Sequence, residues 1–510
     1  MSGEMLILAA LILPLIIAAG IGAMGRFPNM REGVTLVGAF LLFIIVLMMA
    51  GQVSAGNGPE LNLGQAAPGL EFAFRLEPLG ALFAVVASGL WIVNSFYSIG
   101  YMRGNRERNQ TRFYICFAIA ILGALGVAMA GNLFTLFVFY EVLTLSTYPL
   151  VAHKGDANAR RGARIYLLTL LGTSIGFLLT AVMWTWVLAG QNLDFVQGGL
   201  LSGVEISPMV SSCLLVLFAF GIGKAALMPF HFWLPNAMVA PTPVSALLHA
   251  VAVVKAGVFT VLKVSIYIFG TDLLNETPAR EYILWVACFT MIVASLIAIT
   301  KDNLKARLAY STVAQLAYVT AGAMLADAAG YLGGAMQIAA HASGKMTLFM
   351  CAGAIYVATG LTNISDMRGL GRKMPIVFIA FFIAALSIIG LPPLAGGWAK
   401  YELMQGAVDR GNDYLPIILI VSSMLNIAYL LPIPILALMP PPKKTGVPTV
   451  PPEFKRPGGA PALTVAAPAF TAFLCFVLFF SAGWLADFLA PATGERIIDG
   501  TAALINGATP

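Results

Sequence analysis

Apolar stretches of about 20 residues, each closed by a short polar or turn-rich segment, succeed one another along almost the whole chain. The apolar positions are continuous rather than alternating, and a helix of that length crosses a hydrocarbon layer about 30 Å thick. Fourteen such runs fall near 5–24, 34–51, 78–99, 113–130, 132–151, 165–189, 209–229, 243–267, 282–299, 307–325, 330–357, 375–395, 414–438 and 465–489. The pattern predicts an all-α integral membrane protein. The eighth, eleventh and twelfth runs are candidates for breaks or tilts, and Pro229 interrupts the end of the seventh. The first run carries Glu4 instead of a basic leader and no small-residue cleavage site, so it reads as a retained helix.

Composition agrees with that reading: of 510 residues, 59% are hydrophobic and 10% charged, too much apolar surface for a soluble fold to hide. The loops add an orientation. Of 29 Lys and Arg, twenty lie in every second loop from Arg26 onward, and only Arg75, Arg280, Arg410 and Arg496 lie in the opposite set. Because Lys and Arg collect on the cytoplasmic side, both termini are expected on the outer side of a bacterial inner membrane. The net charge of +6 then reflects topology, and no nucleic-acid surface is expected. The polar segment at 440–459 reads as a Pro-rich cytoplasmic linker before the last helix. Cys116, Cys213, Cys288, Cys351 and Cys475 all sit in apolar runs without CxxC spacing and read as small buried hydrophobes, so no metal is expected.

Ionisable groups inside the runs narrow the function. A charge at the bilayer centre costs about 2.5–3.5 kcal/mol on insertion scales, so those that persist point to ion pathways. Five bases lie inside: Lys224, Lys255, Lys263, Lys345 and Lys400. Glu141 is the one acid clearly at mid-span, and His231, His249 and His341 lie in or beside the same runs. Lys263, late in the eighth run, is expected to snorkel to the outer headgroups. His231 reads equally as an interfacial residue beside Trp233.

Spacing brings some of these together. His341 and Lys345, four residues apart in HASGK, share a helix face. His249 and Lys255, six apart, do so only if the helix is distorted, and APTPVSALLHA supplies such a distortion. IIGLPPLAGGWAK interrupts the twelfth run in the same way. A buried lysine facing Glu141 is poised to gain or lose a proton as the pair opens or closes. Lys224, Lys255, Lys345 and Lys400, with His249 and His341 as intermediates, compose a candidate proton relay.

At these residues the chain resembles a known family. LEPLGALFAVVASGLWIVNSFYSIGYM, FYEVLTLSTYPLV, KAALMPFHFWLPNAMVAPTPVSALLHAVAVVKAGVF, DNLKARLAYSTVAQLAYV, HASGKMTLFMCAGAIY and ISDMRGLGRKMP are similar, in order, to the antiporter-like subunits shared by Mrp-type monovalent cation/proton antiporters, respiratory complex I and membrane-bound hydrogenases. The resemblance implies about fourteen transmembrane helices with two inverted five-helix repeats and broken helices seven and twelve. It divides the chain into helices one to three at 1–110, a first repeat at 111–275, a second at 276–440, and the linker with helix fourteen at 441–510. It implies that Glu141 pairs with Lys224, that Lys255 bridges toward the centre with His249 and the His341/Lys345 pair, and that Lys400 is the exit-side residue.

Lys400 followed by Glu402 in GGWAKYELM resembles the Mrp D subunit, and only about 20 residues follow the last run, too few for the long lateral helix of the largest complex I member. The favoured expectation is therefore a proton-translocating subunit of a multisubunit cation (Na+)/proton antiporter. A proton-pumping subunit of an NADH-quinone oxidoreductase or hydrogenase is the alternative, and a membrane subunit of an ion-driven inorganic carbon uptake complex is a third. The sequence has no CxxC cluster, haem motif or nucleotide loop, so no cofactor or redox chemistry is expected in this chain itself. Other membrane subunits, lipid, protons and Na+ are the expected partners.

Overall fold

A computed structural model of the chain describes residues 2–440, 454 and 459–493. All fourteen apolar runs are helical. In chain order the helices are α1 (Gly3–Ala23), α2 (Pro28–Ser54), α3 (Pro78–Gly104), α4 (Gln110–Ala128), α5 (Leu133–Val151), α6 (Ala157–Leu188) and α7 (Pro208–Gly221). There follow α8 (Thr242–Ala250), α9 (Val253–Glu276), α10 (Ala279–Thr300), α11 (Leu304–Leu325) and α12 (Ala328–Thr359). The chain continues through α13 (Pro375–Ile389), α14 (Gly396–Asp409), α15 (Tyr414–Leu438), α16 (Ala462–Phe480) and α17 (Ala482–Thr493). Among the described residues, eleven helices are long and apolar enough to cross a membrane, and α7 and α13 are shorter apolar helices.

Local sequence sets the helix ends. Ser207, Asn132, Asp156, Asn303 and Asp327 each turn a side-chain oxygen onto a first-turn N–H, satisfying donors that a helix start leaves open. Pro208 and Pro375 occupy first-turn positions, where the missing N–H costs nothing. Gly360 ends α12 at φ +77° and Gly390 ends α13 at φ +93°, left-handed conformations suited to glycine.

The helices are graded from rim to centre. α1 and α2 turn Leu15, Ile16, Val37 and Phe40 outward, as lipid-facing helices do. By contrast, every residue of α12 except Ala328 and Tyr356 is buried, and α9 is buried through Gly270. α12 is thus the central post of the bundle, ringed by α3, α8, α11, α13, α14 and α16.

Three expectations change. The eleventh run is unbroken, since α12 runs 32 residues without interruption. Its glycines pack against neighbours: a Cβ on Gly333 would lie 2.8 Å from Leu403 N, and one on Gly344 3.0 Å from Ile388. Cys213 is exposed rather than buried. The fold also contains an antiparallel hairpin, β1 (Glu60–Ala67) with β2 (Leu70–Arg75), in the segment between the second and third runs. It caps the α4–α5 turn: Arg75 N donates to Met129 O at 2.7 Å, Gly131 N to Ala73 O at 2.8 Å, and Asn132 Nδ2 to Glu71 O at 2.9 Å. The linker at 440–459 lies mostly outside the described residues.

Candidate functional site

The seventh run breaks as its sequence predicts. α7 ends at Gly221, a single 3-10 turn covers Gly223–Ala225, and Ala226 takes a left-handed φ of +54° before the short helix Trp233–Asn236. Side chains brace the backbone of the break. Trp233 Nε1 donates to Gly223 O at 3.0 Å, and Lys224 N donates to the Tyr140 hydroxyl at 3.1 Å. The break is also tightly held, because a Cβ on Gly223 would meet Thr173 at 2.2 Å, and one on Gly257 would meet the Lys224–Ala225 backbone at 2.4 Å.

Lys224 is completely buried in that turn. Its ammonium donates to Tyr140 O at 2.8 Å and to Thr144 Oγ1 at 2.6 Å, and it sits 3.1 Å from the centre of the Tyr140 ring. Glu141 is the next residue on α5. Both its carboxylate oxygens are buried and without a hydrogen bond among the described residues, and it makes no ion pair with Lys224 there. The carboxylate is therefore a neighbouring charge that acts through space, while the ammonium's bonds come from Tyr140 and Thr144. Val138, Glu141, Val142 and Leu145 lie at helical spacing on the half-exposed side of α5, so Glu141 belongs to a rim of the molecule.

Gly257, which supports the Lys224 turn, stands two residues beyond Lys255 on α9. Lys255 Nζ lies 2.8 Å from His341 Nδ1, and both groups are buried. An ammonium and an imidazole at that distance share one proton, with Nδ1 accepting when the lysine is charged. The break expected in the eighth run falls between α8 and α9, at Val251 and Ala252. His249 is at the end of α8, and its side chain lies outside the described residues.

One turn along α12, Lys345 Nζ bonds Ser311 Oγ and reaches Leu308 O at 3.4 Å. Ser311 accepts from the Tyr429 hydroxyl at 2.8 Å, and that hydroxyl also meets Asn426 Oδ1. Three residues before Asn426 on α15, Ser423 Oγ accepts from Lys400 Nζ at 2.7 Å. Lys400 also donates to Ile389 O at 2.7 Å and lies 5.0 Å from the Tyr318 ring. Thus α9, α12, α11, α15 and α14 each contribute to one row of polar groups, in the order Lys255, His341, Lys345, Ser311, Tyr429, Asn426, Ser423 and Lys400. Lys224 adjoins its first member. His231 stands apart: it is half-buried in the unwound segment, 6.2 Å from the Tyr310 ring.

Lys263 does not snorkel. It is fully buried, its ammonium 2.6 Å from Glu77 Oε1 and 2.7 Å from Ala130 O, with the Phe195 ring at 4.5 Å. Of the five interior lysines it is the one with a carboxylate at ion-pair distance among the described residues. Sequence reasoning missed this pair and the hydroxyls of Thr144, Ser311, Ser423 and Tyr429. The available signal was Glu77 directly before Pro78, an acid beside a helix start. Single hydroxyls in apolar runs carry no comparable mark.

Residues 130–426 match the family described as NADH:quinone oxidoreductase/Mrp antiporter, TM. NADH-quinone oxidoreductase subunit N of Desulforudis audaxviator is 33% identical over 69% of this chain and 70% of its own length. NAD(P)H-quinone oxidoreductase chain 5 of a Picosynechococcus species is 30% identical over 79% of this chain, which spans 62% of that longer relative. Among solved structures, a chain of the Mrp complex from a Dietzia species superposes with a TM-score of 0.82 at 22% identity, covering 98% of both chains. A chain of an archaeal membrane-bound sulfane sulfur reductase, a respiratory membrane complex, superposes with a TM-score of 0.81 at 22% identity over 96% of both. Both neighbours come from membrane complexes. The chain belongs to the NADH:quinone oxidoreductase/Mrp antiporter family of antiporter-like membrane subunits.

Proposed function

We propose that this chain is the proton-translocating subunit of an Mrp-type complex exchanging protons for Na+. The observation that carries the reading is the polar row from Lys255 to Lys400 across the centre of a membrane bundle, with Lys224 and Glu141 at its near end. Burial penalises an ammonium, and each lysine in the row has an acceptor that stabilises it, so protonated and neutral forms are both accessible. That is what stepwise proton transfer needs. The antiporter reading is supported by near-complete superposition on the Mrp chain.

A proton-pumping subunit of a quinone oxidoreductase is the second reading, favoured by the quinone oxidoreductase relatives at 30–33% identity. The two share the same proton pathway and differ in the neighbouring subunits that drive it. The proposal also includes a bacterial inner membrane, the loops rich in Lys and Arg on the cytoplasmic side, both termini outside, and repeats at 111–275 and 276–440.

The test is exchange in inside-out vesicles containing the assembled complex. Glu141→Ala and Lys224→Ala are each expected to abolish proton exchange while the complex still assembles. Wild-type exchange by either assembled variant would remove that residue from the pathway. Cation-driven proton movement without quinone substrates separates the first reading from the second.

A further inference from the structure

α2 and α16 both pack on α3, and a groove of about 580 Å³ runs between them down to α12. Along α16 it extends from Leu463 to Leu478, about 22 Å at 1.5 Å per residue. Every side chain that lines it is hydrocarbon except Ser343 on its floor, and that hydroxyl is already bonded. Ser343 Oγ donates to Ala340 O at 3.0 Å and accepts from Cys475 Sγ at 3.6 Å. Nothing in the lining therefore calls for water or a polar ligand. Phe40 and Phe470, on the two edges, are half exposed, so the groove opens sideways where these helices face lipid.

An unfilled apolar hollow forfeits the contacts of its lining, and size decides what fills this one. A helix about 10 Å across needs about 1,700 Å³ over that length, some three times the groove. An acyl chain needs about 30 Å³ per carbon, roughly the share of a liquid water, so the groove holds about 19 carbons.

The basic-loop end of the groove is charged. On α3, Gly89, Val93 and Phe96 line it, and Arg103 follows at the same helical spacing. Arg103 Nε donates to Glu32 Oε1 at 3.0 Å and Nη2 to Asn29 Oδ1 at 2.6 Å, yet its side chain is 46% exposed. Arg31 leans on the same Glu32 carboxylate at 3.5 Å. Two guanidiniums thus share one carboxylate, and Arg106 stands exposed three residues on. The mouth of the groove keeps an excess of positive charge, which a phosphate complements.

We propose that this groove binds an anionic phospholipid of the basic-loop leaflet, with one acyl chain lying between α2 and α16 against α12 and the phosphate at Arg103. On α12 the floor residues Ala339 and Ser343 alternate with His341 and Lys345, so the two pairs face opposite sides of the helix. The chain backs the face of α12 that the polar row does not use and keeps water from it. The site stands whether or not the buried lysines carry protons.

The test uses the assembled complex in nanodiscs of phosphatidylglycerol with brominated acyl chains. A high-resolution map is expected to show bromine between Phe43 and Ala466 and phosphate beside Arg103. A groove without bromine, or one filled by a protein segment from a partner subunit or from this chain, would overturn the site. Equal occupancy in nanodiscs of brominated phosphatidylcholine would overturn the choice of an anionic lipid. Ala466→Trp, which fills the groove from its exposed edge, is expected to abolish the bound lipid. Arg103→Gln is expected to lower phosphatidylglycerol occupancy at least about tenfold. Undiminished lipid in either assembled variant would count against the site, and the wild-type map decides it where a variant fails to assemble. None of these readouts involves transport, so they are independent of the proton pathway.

Discussion

The two interrupted helices place their lysines differently. In the first, Lys224 stands inside the unwound turn, and its ammonium bonds another helix, α5, through Tyr140 O and Thr144. The Gly223 carbonyl accepts both the Ala226 N–H, at 3.0 Å, and the Trp233 indole, at 3.0 Å. In the second, Lys400 lies one turn inside α14, and its ammonium reaches back across the break to Ile389 O at the end of α13. There it meets the carbonyl end of a helix, where a positive charge is favoured by the helix dipole. Lys400 therefore holds its own break together, whereas Lys224 ties its break to a neighbour, and the turn's own N–H groups and an indole hold its backbone. Losing charge at Lys224 changes a contact between helices; losing it at Lys400 also loosens the break itself.

That contrast is most sharply broken by transport. Lys400→Ala is expected to lower net exchange by about 10²–10⁴-fold, yet leave Lys224 exchanging protons with the basic-loop face in site-resolved protonation measurements. A Lys224 that stops responding to that face, or responds equally to both, would show that the two halves do not open separately. A leak through both at once would dissipate about 2.3 kcal/mol per charge per 100 mV.

The next effect concerns Lys263, which joins α9 to Glu77 at the start of α3 and to Ala130 before α5. Lys263→Met leaves the Glu77 carboxylate in place without its ammonium and is expected to cost about 3–5 kcal/mol, read as a fall in the thermal midpoint of the complex. Adding Glu77→Gln should recover much of that loss. A single variant as stable as wild type would mean that the pair contributes nothing net.

The smallest effect compares the backbones of the two breaks. Gly390 and Ala226 both have left-handed φ, +93° and +54°. A Cβ at Gly390 would also press within 2.7 Å of Lys400 Cδ. Gly390→Ala is expected to cost about 1–3 kcal/mol and to slow exchange by displacing Lys400, whereas Ala226→Gly should be neutral or stabilising by a few tenths. Equal losses at both positions would show that packing rather than φ governs the breaks.

The sequence made the helices and both breaks legible because lipid demands long apolar runs, and Pro and Gly interrupt them visibly. Interior lysines were legible for the same reason: each is an expensive exception in a cheap background. The hairpin at 60–75 was less so. Its alternation in LEFAFR is short, and the apolar runs on either side dominate any reading of that segment. The pairing of Lys263 with Glu77 depends on two helices meeting, which no spacing along one helix encodes. The eleventh run, a candidate for a break or a tilt, forms the unbroken α12, and its glycines are where other helices approach.

α12 has a consequence for how the protein is made. It is buried all round, and it carries Gln337, His341 and Lys345 through the middle of the bundle. Presented to lipid by itself during synthesis, it would face hydrocarbon with groups that insertion scales penalise by a few kcal/mol for the lysine alone. Its first neighbours, α3, α8, α9 and α11, are already made when it emerges, but α13, α14 and α16 are not. The ribosome therefore delivers a helix that carries a buried lysine and histidine into a half-built shell, and its retention in the membrane is tied to helices that precede it, with the later ones sealing it from lipid. Misassembly of the early helices would then surface as failure of α12 to stay in the bilayer, well away from the residues first at fault.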